Sequence, residues 1–280
     1  MPLRNNVVVV TGASTGIGEA LSHALSARGA RLVLAARRLD ELQRVASILH
    51  DAGGRAIAVA CDVTKVDDCR HLVAETIREF GQLDTLIVNA GASMWARFAD
   101  IKDPAILDRL MQVNYMGAVN CTHAALPHLH ASRGHIVGIA SLTALTGVPT
   151  RSGYAASKHA MRGFFDSLRI ELADSDTGIS VTMIYPGFVA TGIRENAANA
   201  NGDAAKVDPV DPSKVMSLEE CVSIIMPAIE NRKREVIMTS KGKLGQWLKL
   251  FAPQFVDRLA SKAVAANQSH VDRHPPTLPI

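Results

Sequence analysis

The sequence predicts an α/β protein built on a doubly wound parallel sheet, and three observations support this fold class. Short apolar runs alternate with helical patterns, as βαβ units require. Aromatic content is only 4%, whereas alanine, valine, leucine and isoleucine are plentiful, as expected for strands that helices cover on both faces. The 280 residues, 48% of them hydrophobic, suffice for one large domain, and no composition break divides them.

The apolar runs mark about seven strands, and the periodic stretches between them mark helices. The predicted strands are Val7–Val10, Leu32–Ala36, Ala56–Cys61, Leu83–Val88, His135–Ile139, Ser180–Ile184 and Val236–Met238. The predicted helices are Gly16–Arg28, Leu39–Asp51, Val66–Phe80, Pro104–His130 and Gly153–Leu172. Ligands of such sheets bind beyond the carboxyl ends of the strands, so residues that follow a strand are candidates for a site.

The pattern loosens after Gly192. We expect residues 1–240 to form one domain, in which the Ala-, Asn-, Asp- and Gly-rich segment Arg194–Val215 is a mobile lid. Residues 241–267 follow as an amphipathic helical extension. The prolines and histidines of residues 268–280 predict a disordered tail.

The extension carries an apolar stripe at helical spacing, formed by Leu244, Trp247, Leu248 and Phe251, with lysines between. We expect this stripe to pack on its own domain or on a second subunit. Contact with a membrane surface, or a wall beside an apolar substrate entrance, is the alternative.

Composition excludes several classes of function. The net charge of +3 is too small and too dispersed for a nucleic-acid-binding protein. The four cysteines show neither metal-ligand spacing nor a disulfide framework, which predicts buried reduced thiols, no metal site and a cytoplasmic location. We expect no signal peptide and no spanning helix, because no apolar run approaches the roughly 20 residues that a bilayer requires.

A glycine-rich turn follows the first strand and opens a helix, with Gly12, Gly16 and Gly18 spaced as Gly-x-x-x-Gly-x-Gly. Glycines allow a tight turn and let a pyrophosphate approach the positive end of the helix. The alternative is that they serve the turn alone. The strand-turn-helix context favours a nucleotide.

Tyr154 and Lys158 lie four residues apart, so their side chains project from one face of a helix. A phenol has an ordinary pKa of about 10, and a neighbouring ammonium favours the phenolate. The pair therefore indicates proton transfer near neutral pH. Such a pair also occurs on solvated helix faces, but next to a nucleotide-binding turn it indicates hydride chemistry.

These motifs resemble the short-chain dehydrogenase/reductase family once Asn89-Ala90-Gly91 and Ser141, which follow the fourth and fifth strands, are added. The resemblance runs from about Val7 to Thr191, in the family's order, and includes Asn114 and the segments at 61–64 and 186–191. Val88 departs from it, since the family usually has asparagine there. The resemblance implies a Rossmann-type fold.

It also implies roles for four residues. Tyr154 would be the general acid in reduction and the base in the reverse direction, and Lys158 would hold the nicotinamide ribose and lower the tyrosine pKa. Ser141 would donate a hydrogen bond to the substrate oxygen. Asn114 would hold a water that links Lys158 to solvent. Alone, Asn114 could equally mark a helix kink and Ser141 a helix cap.

Arg37 and Arg38 end the second strand, where NAD enzymes place an acidic residue. Arg37 is placed to meet a 2′-phosphate, which favours NADP and leaves NAD possible. From the resemblance, Asp62 and Val63 would hold the adenine. The full cofactor set is Gly12, Ser14, Thr15, Gly16, Ile17, Gly18, Arg37, Arg38, Asp62, Val63, Asn89, Ala90, Gly91, Tyr154, Lys158, Pro186, Gly187, Val189 and Thr191.

We therefore expect an NADP-dependent oxidoreductase that interconverts a carbonyl and a secondary alcohol. An apolar substrate is expected, because the extension resembles that of 11β-hydroxysteroid dehydrogenase-like and microsomal reductases. The alternatives are an NAD-linked alcohol dehydrogenase and a catalytically silent nucleotide sensor or scaffold. The expected pocket residues are Ser93, Met94, Leu142, Val148 and Phe188.

A homodimer or homotetramer is expected as well. The family usually assembles through the helices predicted at Pro104–His130 and Gly153–Leu172, and the second has apolar residues on two sides. The residues expected at this interface include Met111, Met116, Met161, Phe164 and Phe165.

Overall fold

Seven parallel strands form one sheet within the residues that the computed structural model describes, which are 3–206, 208 and 210–273. In chain order they are β1 (Val7–Thr11), β2 (Arg31–Ala36), β3 (Arg55–Ala60), β4 (Thr85–Val88), β5 (His135–Ile139), β6 (Ser180–Tyr185) and β7 (Glu235–Ile237). The sheet order is β3-β2-β1-β4-β5-β6-β7. The winding direction therefore reverses between β1 and β4, and this switch point is where such sheets bind ligands. The predicted fold class is confirmed.

Helices cover both faces of the sheet. They are α1 (Gly16–Ser26), α2 (Leu39–Asp51), α3 (Val66–Phe80), α4 (Ala105–Met111), α5 (Gly117–Ser132), α6 (Ser152–Asp174), α7 (Leu218–Glu230), α8 (Ser240–Phe251) and α9 (Pro253–Arg273). One core lies between the sheet and α3, α5 and α6, and the other lies between the sheet and α1, α2 and α7. The sheet strands are apolar on both faces because both faces are buried.

The helix predicted at Pro104–His130 is interrupted. A π-helical turn at Gln112–Met116 separates α4 from α5. A π-turn adds a residue to the helical turn and frequently marks a functional site. Here it contains Asn114, whose buried side-chain amide bonds to the loop after β4.

Helix α7 is not among the helices predicted from the sequence. Its N-terminal cap is Ser217, whose Oγ accepts a hydrogen bond of 3.1 Å from the backbone N–H of Glu220. Serine followed three residues later by glutamate is the signature of a capping box, so the signal was present in the sequence.

The described part of Arg194–Val215 packs against the loop that follows β4. The N–H of Ala198 donates to the carbonyl of Ser93 at 2.9 Å, and the N–H of Trp95 donates to the carbonyl of Ala198 at 2.8 Å. Ala197 and Val210 are buried. These contacts hold the segment over the sheet, and its mobility stays a prediction.

The C-terminal extension forms two helices, α8 and α9, which are separated at Ala252. The stripe predicted to pack on its own domain is instead largely exposed, with Leu244, Trp247 and Phe251 at 66%, 63% and 85% exposure. α8 approaches the domain at Gly242, which lies against Leu142, and Leu244 and Leu248 line the cavity described below, whereas Trp247 and Phe251 do not. Packing on a second subunit stays a prediction.

The predicted disordered tail begins inside α9, which continues to Arg273, so residues 268–273 are helical. Residues 274–280 lie outside the described residues. None of the described helices is long and apolar enough to cross a bilayer.

Two residues expected at a subunit interface belong to the core of the chain. Met161 and Phe165 are buried between α6 and the sheet, because they lie on the inner face of this helix. Phe164 is only partly buried and contacts the rings of Phe165 and Tyr115, whereas Ile170 is exposed. An interface through α6 would therefore use Phe164 and Ile170.

Candidate active site

The glycine turn after β1 leaves its backbone open to a ligand. Gly12 has a φ of +66°, and a Cβ there would lie 2.9 Å from the side-chain nitrogen of Asn89. A Cβ at Gly18 would lie 2.2 Å from the carbonyl oxygen of Gly12, so no larger residue fits. The turn is therefore close-packed from behind, which presents its outer backbone to a phosphate at the start of α1.

Asn89 and Thr11 fasten the turn to the end of β4. The Nδ2 of Asn89 donates to the carbonyl oxygens of Thr11 and Gly12 at 3.0 and 3.1 Å. The hydroxyl of Thr11 accepts from the N–H groups of Asn89 and Ala90 at 2.9 and 3.1 Å. The side chain of Asn89 thus positions the glycine turn.

Tyr154 and Lys158 lie on α6 and are 7% and 4% exposed. The Lys158 Nζ donates to the carbonyl oxygen of Ile139 at 3.0 Å and lies 6.0 Å from the centroid of the Tyr154 ring. Burial lowers the pKa of Lys158 to about 8. The pair therefore sits where β5 ends, as its position in the sequence implied.

Burial raises the pKa of Tyr154, and the charge of Arg151 and a hydrogen bond with Ser141 oppose this effect. The expectation that Lys158 lowers the tyrosine pKa is not met in this structure, because desolvation of the phenolate prevails. The phenol is accordingly neutral at pH 7, which is the form that can donate a proton.

Ser141 follows β5 and caps a short 3₁₀ helix, Leu142–Ala144. Its Oγ accepts a hydrogen bond of 3.2 Å from the N–H of Thr143. The cap orients the serine, and the hydroxyl proton remains able to reach Tyr154. Ser141 therefore combines the two readings that its sequence position allowed.

Asn114 holds the loop after β4 in place through its side-chain hydrogen bonds. Its Oδ1 accepts from the N–H of Ala92 at 2.8 Å, and its Nδ2 donates to the carbonyl of Ala92 at 2.9 Å and to the hydroxyl of Ser157 at 2.8 Å. A Cβ at Gly91 would lie 3.1 Å from Asn114 Oδ1 and 3.6 Å from Lys158 Nζ, so both atoms border one point. A water link between them stays a prediction.

Asp62 and Arg37 lie at the other end of the site, away from Tyr154. The Oδ1 of Asp62 accepts from the hydroxyl and the N–H of Thr64 at 2.8 and 3.1 Å. Burial acts to raise the pKa of Asp62, but these hydrogen bonds and the charge of Arg37 prevail and lower it. Arg37 and Arg38 are exposed at the rim.

One cavity of about 2110 Å³ extends from the glycine turn to Tyr154 and has room for a dinucleotide and a substrate. Nearly all the predicted cofactor and catalytic residues line it. Gly18 and Asn114 do not, because Gly18 packs behind the turn against Gly12 and Asn114 lies behind Gly91. With the close-packed glycine turn, this shape fits a nicotinamide dinucleotide.

The loop after β6, in which the nicotinamide contacts are predicted, also lines the cavity. Pro186, Gly187, Val189 and Thr191 all line it. The Thr191 Cγ2 lies 3.0 Å from where a Cβ of Gly16 would stand, so this loop faces the glycine turn across the site.

Four of the five predicted pocket residues, Ser93, Leu142, Val148 and Phe188, line the cavity. Met94 does not, because it is fully buried in a cluster with Ile106, Leu110 and Tyr154, which themselves line the cavity. Sequence reasoning missed Trp95 and Arg151, which do line it. A cation at the start of a helix is electrostatically unfavourable, and that signal could have singled out Arg151.

The four cysteines are free and buried, as predicted. The Sγ atoms of Cys69 and Cys121 lie 3.5 Å apart in the core beneath α3 and α5. Across the described ranges, no three His, Cys, Asp or Glu side chains come together as a metal site would require.

Comparison with known proteins identifies similar sequences and structures. The profile of the short chain dehydrogenase family matches residues 6–202. The chain is 32% identical to a dehydrogenase/reductase SDR family protein 7-like of Dictyostelium discoideum over 270 residues, which cover 94% of this chain and 83% of that protein. It is 36% identical to 11-beta-hydroxysteroid dehydrogenase 1A of Arabidopsis thaliana over 263 residues, which cover 91% of this chain and 74% of that protein.

Among solved structures, a short chain dehydrogenase from Burkholderia cenocepacia in complex with NADP superposes with a TM-score of 0.77. Its sequence is 26% identical, and the match covers 94% of this chain and 99% of that one.

Proposed function

Because the chain belongs to the short-chain dehydrogenase/reductase family and is an NAD(P)-dependent oxidoreductase, we propose that it interconverts a carbonyl and a secondary alcohol with NADP as the preferred cofactor. The observation that carries this proposal is the position of Tyr154. Its buried phenol lies with Ser141 and Lys158 at the inner end of the cavity that begins at the glycine turn. Nucleotide and proton donor thus share one space.

Ser141 and Tyr154 would hold the oxygen of the substrate carbonyl between their hydroxyls. Tyr154 would donate the proton to this oxygen during reduction, and the neutral phenol that burial favours is the form needed. Lys158 would hold the ribose of the cofactor while its bond to Ile139 fixes its position. When bound, the nicotinamide supplies or accepts the hydride.

Two features support NADP. Arg37 is exposed at the rim of the cavity, where a guanidinium can contact a 2′-phosphate through charge-assisted hydrogen bonds. The acidic residue that would repel this phosphate is absent from the end of β2. The Burkholderia cenocepacia relative was solved with NADP.

The apolar lining of the cavity supports a hydrophobic substrate. Leu142, Val148 and Phe188 come from the loops after β5 and β6, and Leu248 and Val256 come from α8 and α9. The names of the plant relatives refer to hydroxysteroids, which are apolar alcohols. A helical extension that closes one wall suits a substrate of this kind.

We further propose a cytoplasmic homodimer or homotetramer. The four free, buried thiols fit a reducing compartment, and Ile170 exposes apolar surface on α6, where Phe164 is only partly buried. Light scattering at micromolar concentration tests the assembly, and a monomer would contradict it.

We also propose that residues 1–240 form one domain that carries 241–267 as an extension.

The test of the function is cofactor oxidation with a panel of aldehydes and ketones, using NADPH and NADH at equal concentration. We expect turnover with NADPH and weaker turnover with NADH. Tight cofactor binding without turnover of any compound would instead favour a catalytically silent sensor. The presence of Ser141, Tyr154 and Lys158 together argues against that alternative.

A further inference from the structure

Arg151 is a buried cation beside the proton donor. It directly precedes α6, is 6% exposed and lines the cavity three residues before Tyr154. Its guanidinium carbon lies 4.2 Å from the centroid of the Trp95 ring, 5.6 Å from that of Phe188 and 5.8 Å from that of Tyr154. The three rings fix the guanidinium at the substrate end of the site.

The rings do not satisfy the hydrogen-bond donors of Arg151. Its Nε and Nη2 atoms are buried and find no hydrogen-bond partner among the described residues. Leaving a buried charged donor unpaired is unfavourable, so such a group calls for a partner, which water, an ion or a ligand can supply. Although burial lowers the pKa of Arg151 to about 10, the guanidinium stays protonated at neutral pH.

Arg194, a second buried arginine of the site, has hydrogen-bond partners for its side-chain donors. Arg194 donates to both carboxylate oxygens of Asp208, at 2.8 Å from Nε to Oδ1 and 2.6 Å from Nη2 to Oδ2. Its Nη1 donates to the carbonyl of Val189 at 2.7 Å. Asp208 also acts electrostatically on Arg151, but Arg194 occupies its oxygens. The two cations and one anion therefore leave a net positive charge facing the cavity.

The ligand for this charge is distinct from the phosphates of the cofactor. The glycine turn would face the pyrophosphate and Arg37 would meet the adenosine end of the cofactor, whereas Arg151 lies 5.8 Å from the centroid of the Tyr154 ring. A group that binds Arg151 therefore belongs to the molecule whose carbonyl reacts. The planar fork of a guanidinium matches a carboxylate best. Ser93, whose buried hydroxyl also lacks a partner among the described residues, lines the same cavity.

Building on the proposed function, we propose that Arg151 binds a carboxylate of the substrate, which makes this enzyme a reductase of oxo acids with an apolar tail. The ketone lies close to the acid group, because Arg151 and Tyr154 are in ring contact. The ketone gains a hydride from the cofactor and a proton from Tyr154 and becomes a secondary alcohol, while the carboxylate is unchanged. The tail lies against the apolar wall.

Turnover gives the first readout. The probes are 2-oxo-4-phenylbutanoate and its ethyl ester, which share the ketone and the phenyl tail, and only the acid carries the negative charge that Arg151 would bind. We expect Arg151→Met to lower the acid-to-ester ratio of kcat/KM by about tenfold to a hundredfold, as charged hydrogen bonds imply. Arg151→Lys should give an intermediate ratio. Arg109→Met, at an exposed arginine that also lines the cavity, is the matched control and should leave the ratio unchanged.

Trp95 gives a second readout that does not depend on turnover. The chain has two tryptophans, so Trp247→Phe leaves Trp95, which is stacked on Arg151, as the sole tryptophan. In this background and with NADP⁺ present, 4-phenylbutanoate should change the fluorescence saturably, whereas the neutral 4-phenylbutanamide should not. Arg151→Met should abolish the response to the acid.

The outcomes separate this proposal from the proposed function. An Arg151-dependent response to the acid without turnover of any carbonyl would support the carboxylate subsite and contradict the reductase activity alone. An unchanged kcat/KM ratio in Arg151→Met, or the same fluorescence response to acid and amide, would overturn the subsite. If circular dichroism shows that Arg151→Met does not fold, the ratio of Arg151→Lys decides, and a wild-type ratio would overturn it.

Discussion

The Nζ of Lys158 donates a hydrogen bond of 3.0 Å to the main-chain carbonyl oxygen of Ile139. This bond ties the N-terminal part of α6 to the last residue of β5, and Ser141 follows two residues later. The strand end therefore fixes both the lysine and the serine relative to Tyr154. The bond also explains how an ammonium can be buried here, since its donor meets a carbonyl at the edge of the sheet.

Stability should depend on pH through Lys158. Its pKa in the folded state, about 8, lies below the ordinary value of about 10.4, so between these pH values the unfolded chain binds more protons. Burial of the charge destabilises the protein fully below pH 8, and this loss disappears as the pH rises towards about 10.4. The cofactor-free protein should therefore gain up to about 3 kcal/mol over this window relative to Lys158→Met.

Urea unfolding at several pH values measures this difference. Lys102→Met, at an exposed lysine, should follow the wild type. A Lys158→Met protein whose stability changes with pH as the wild type does would show that the buried ammonium is not the cause.

Asn114 should matter for stability as well as activity. Asn114→Leu leaves the N–H and carbonyl of Ala92 and the hydroxyl of Ser157 without their partner, and each such loss costs about 1–3 kcal/mol when the group stays buried. We expect a loss of at least about 3 kcal/mol in the free energy of unfolding.

Asn120→Leu is the matched control, since that amide makes a single described bond, to the carbonyl of Val63. Its loss should be about 1 kcal/mol. Equal losses in the free energy of unfolding for the two variants, measured by chemical denaturation, would contradict the role of Asn114 in holding the loop after β4.

Cofactor preference should follow Arg37. Replacing it in the double variant Arg37→Ala and Ala36→Asp removes the cation and adds an anion where the 2′-phosphate would lie. The Kd ratio of NADP to NAD should move towards NAD by about tenfold to a hundredfold. Arg70→Ala, which removes an exposed arginine of α3, serves as the control. An unchanged ratio in the double variant would place the phosphate elsewhere.

The extension should select for apolar substrates through Leu248 rather than Trp247. Leu248 lines the cavity, whereas Trp247 is 63% exposed and does not line it. Leu248→Ala should therefore lower kcat/KM more for bulky apolar ketones than for small ones, and Trp247→Ala should leave both unchanged. A loss confined to Trp247→Ala would mean that its exposed ring contacts the substrate.

Most of the fold follows from sequence because the buried strands produce continuous apolar runs. Ser180–Tyr185 and the other strands are recognisable without knowing their partners, since helices cover both faces. The sequence makes Asn114 a candidate for a helix kink, but the π-turn itself could not be predicted, because it depends on bonds to Ala92 that form only when the sheet is assembled. The exposure of Trp247 could not be predicted for a similar reason, since periodicity gives a stripe but not the surface it faces.

The site divides in the same way. Tyr154, Lys158 and Ser141 carry their chemistry in residue type and spacing, so the sequence locates them. Arg151 and Trp95 come from different loops, and their contact can be recognised only in the folded structure. Met94 is buried although its neighbours Ser93 and Trp95 line the cavity, and the sequence does not show this difference. The mobility of Arg194–Val215 depends on energies that composition does not determine.

Tyr154→Phe tests the proton-transfer role most directly, because the variant removes one hydroxyl and keeps the ring against Arg151 and Met94. Single-turnover reduction of a ketone by bound NADPH, measured beside the Kd of NADPH, separates chemistry from binding. We expect the rate to fall at least about a hundredfold, as for the loss of a general acid, with an unchanged Kd. A variant that keeps most of its rate would contradict the assignment of Tyr154 as the proton donor.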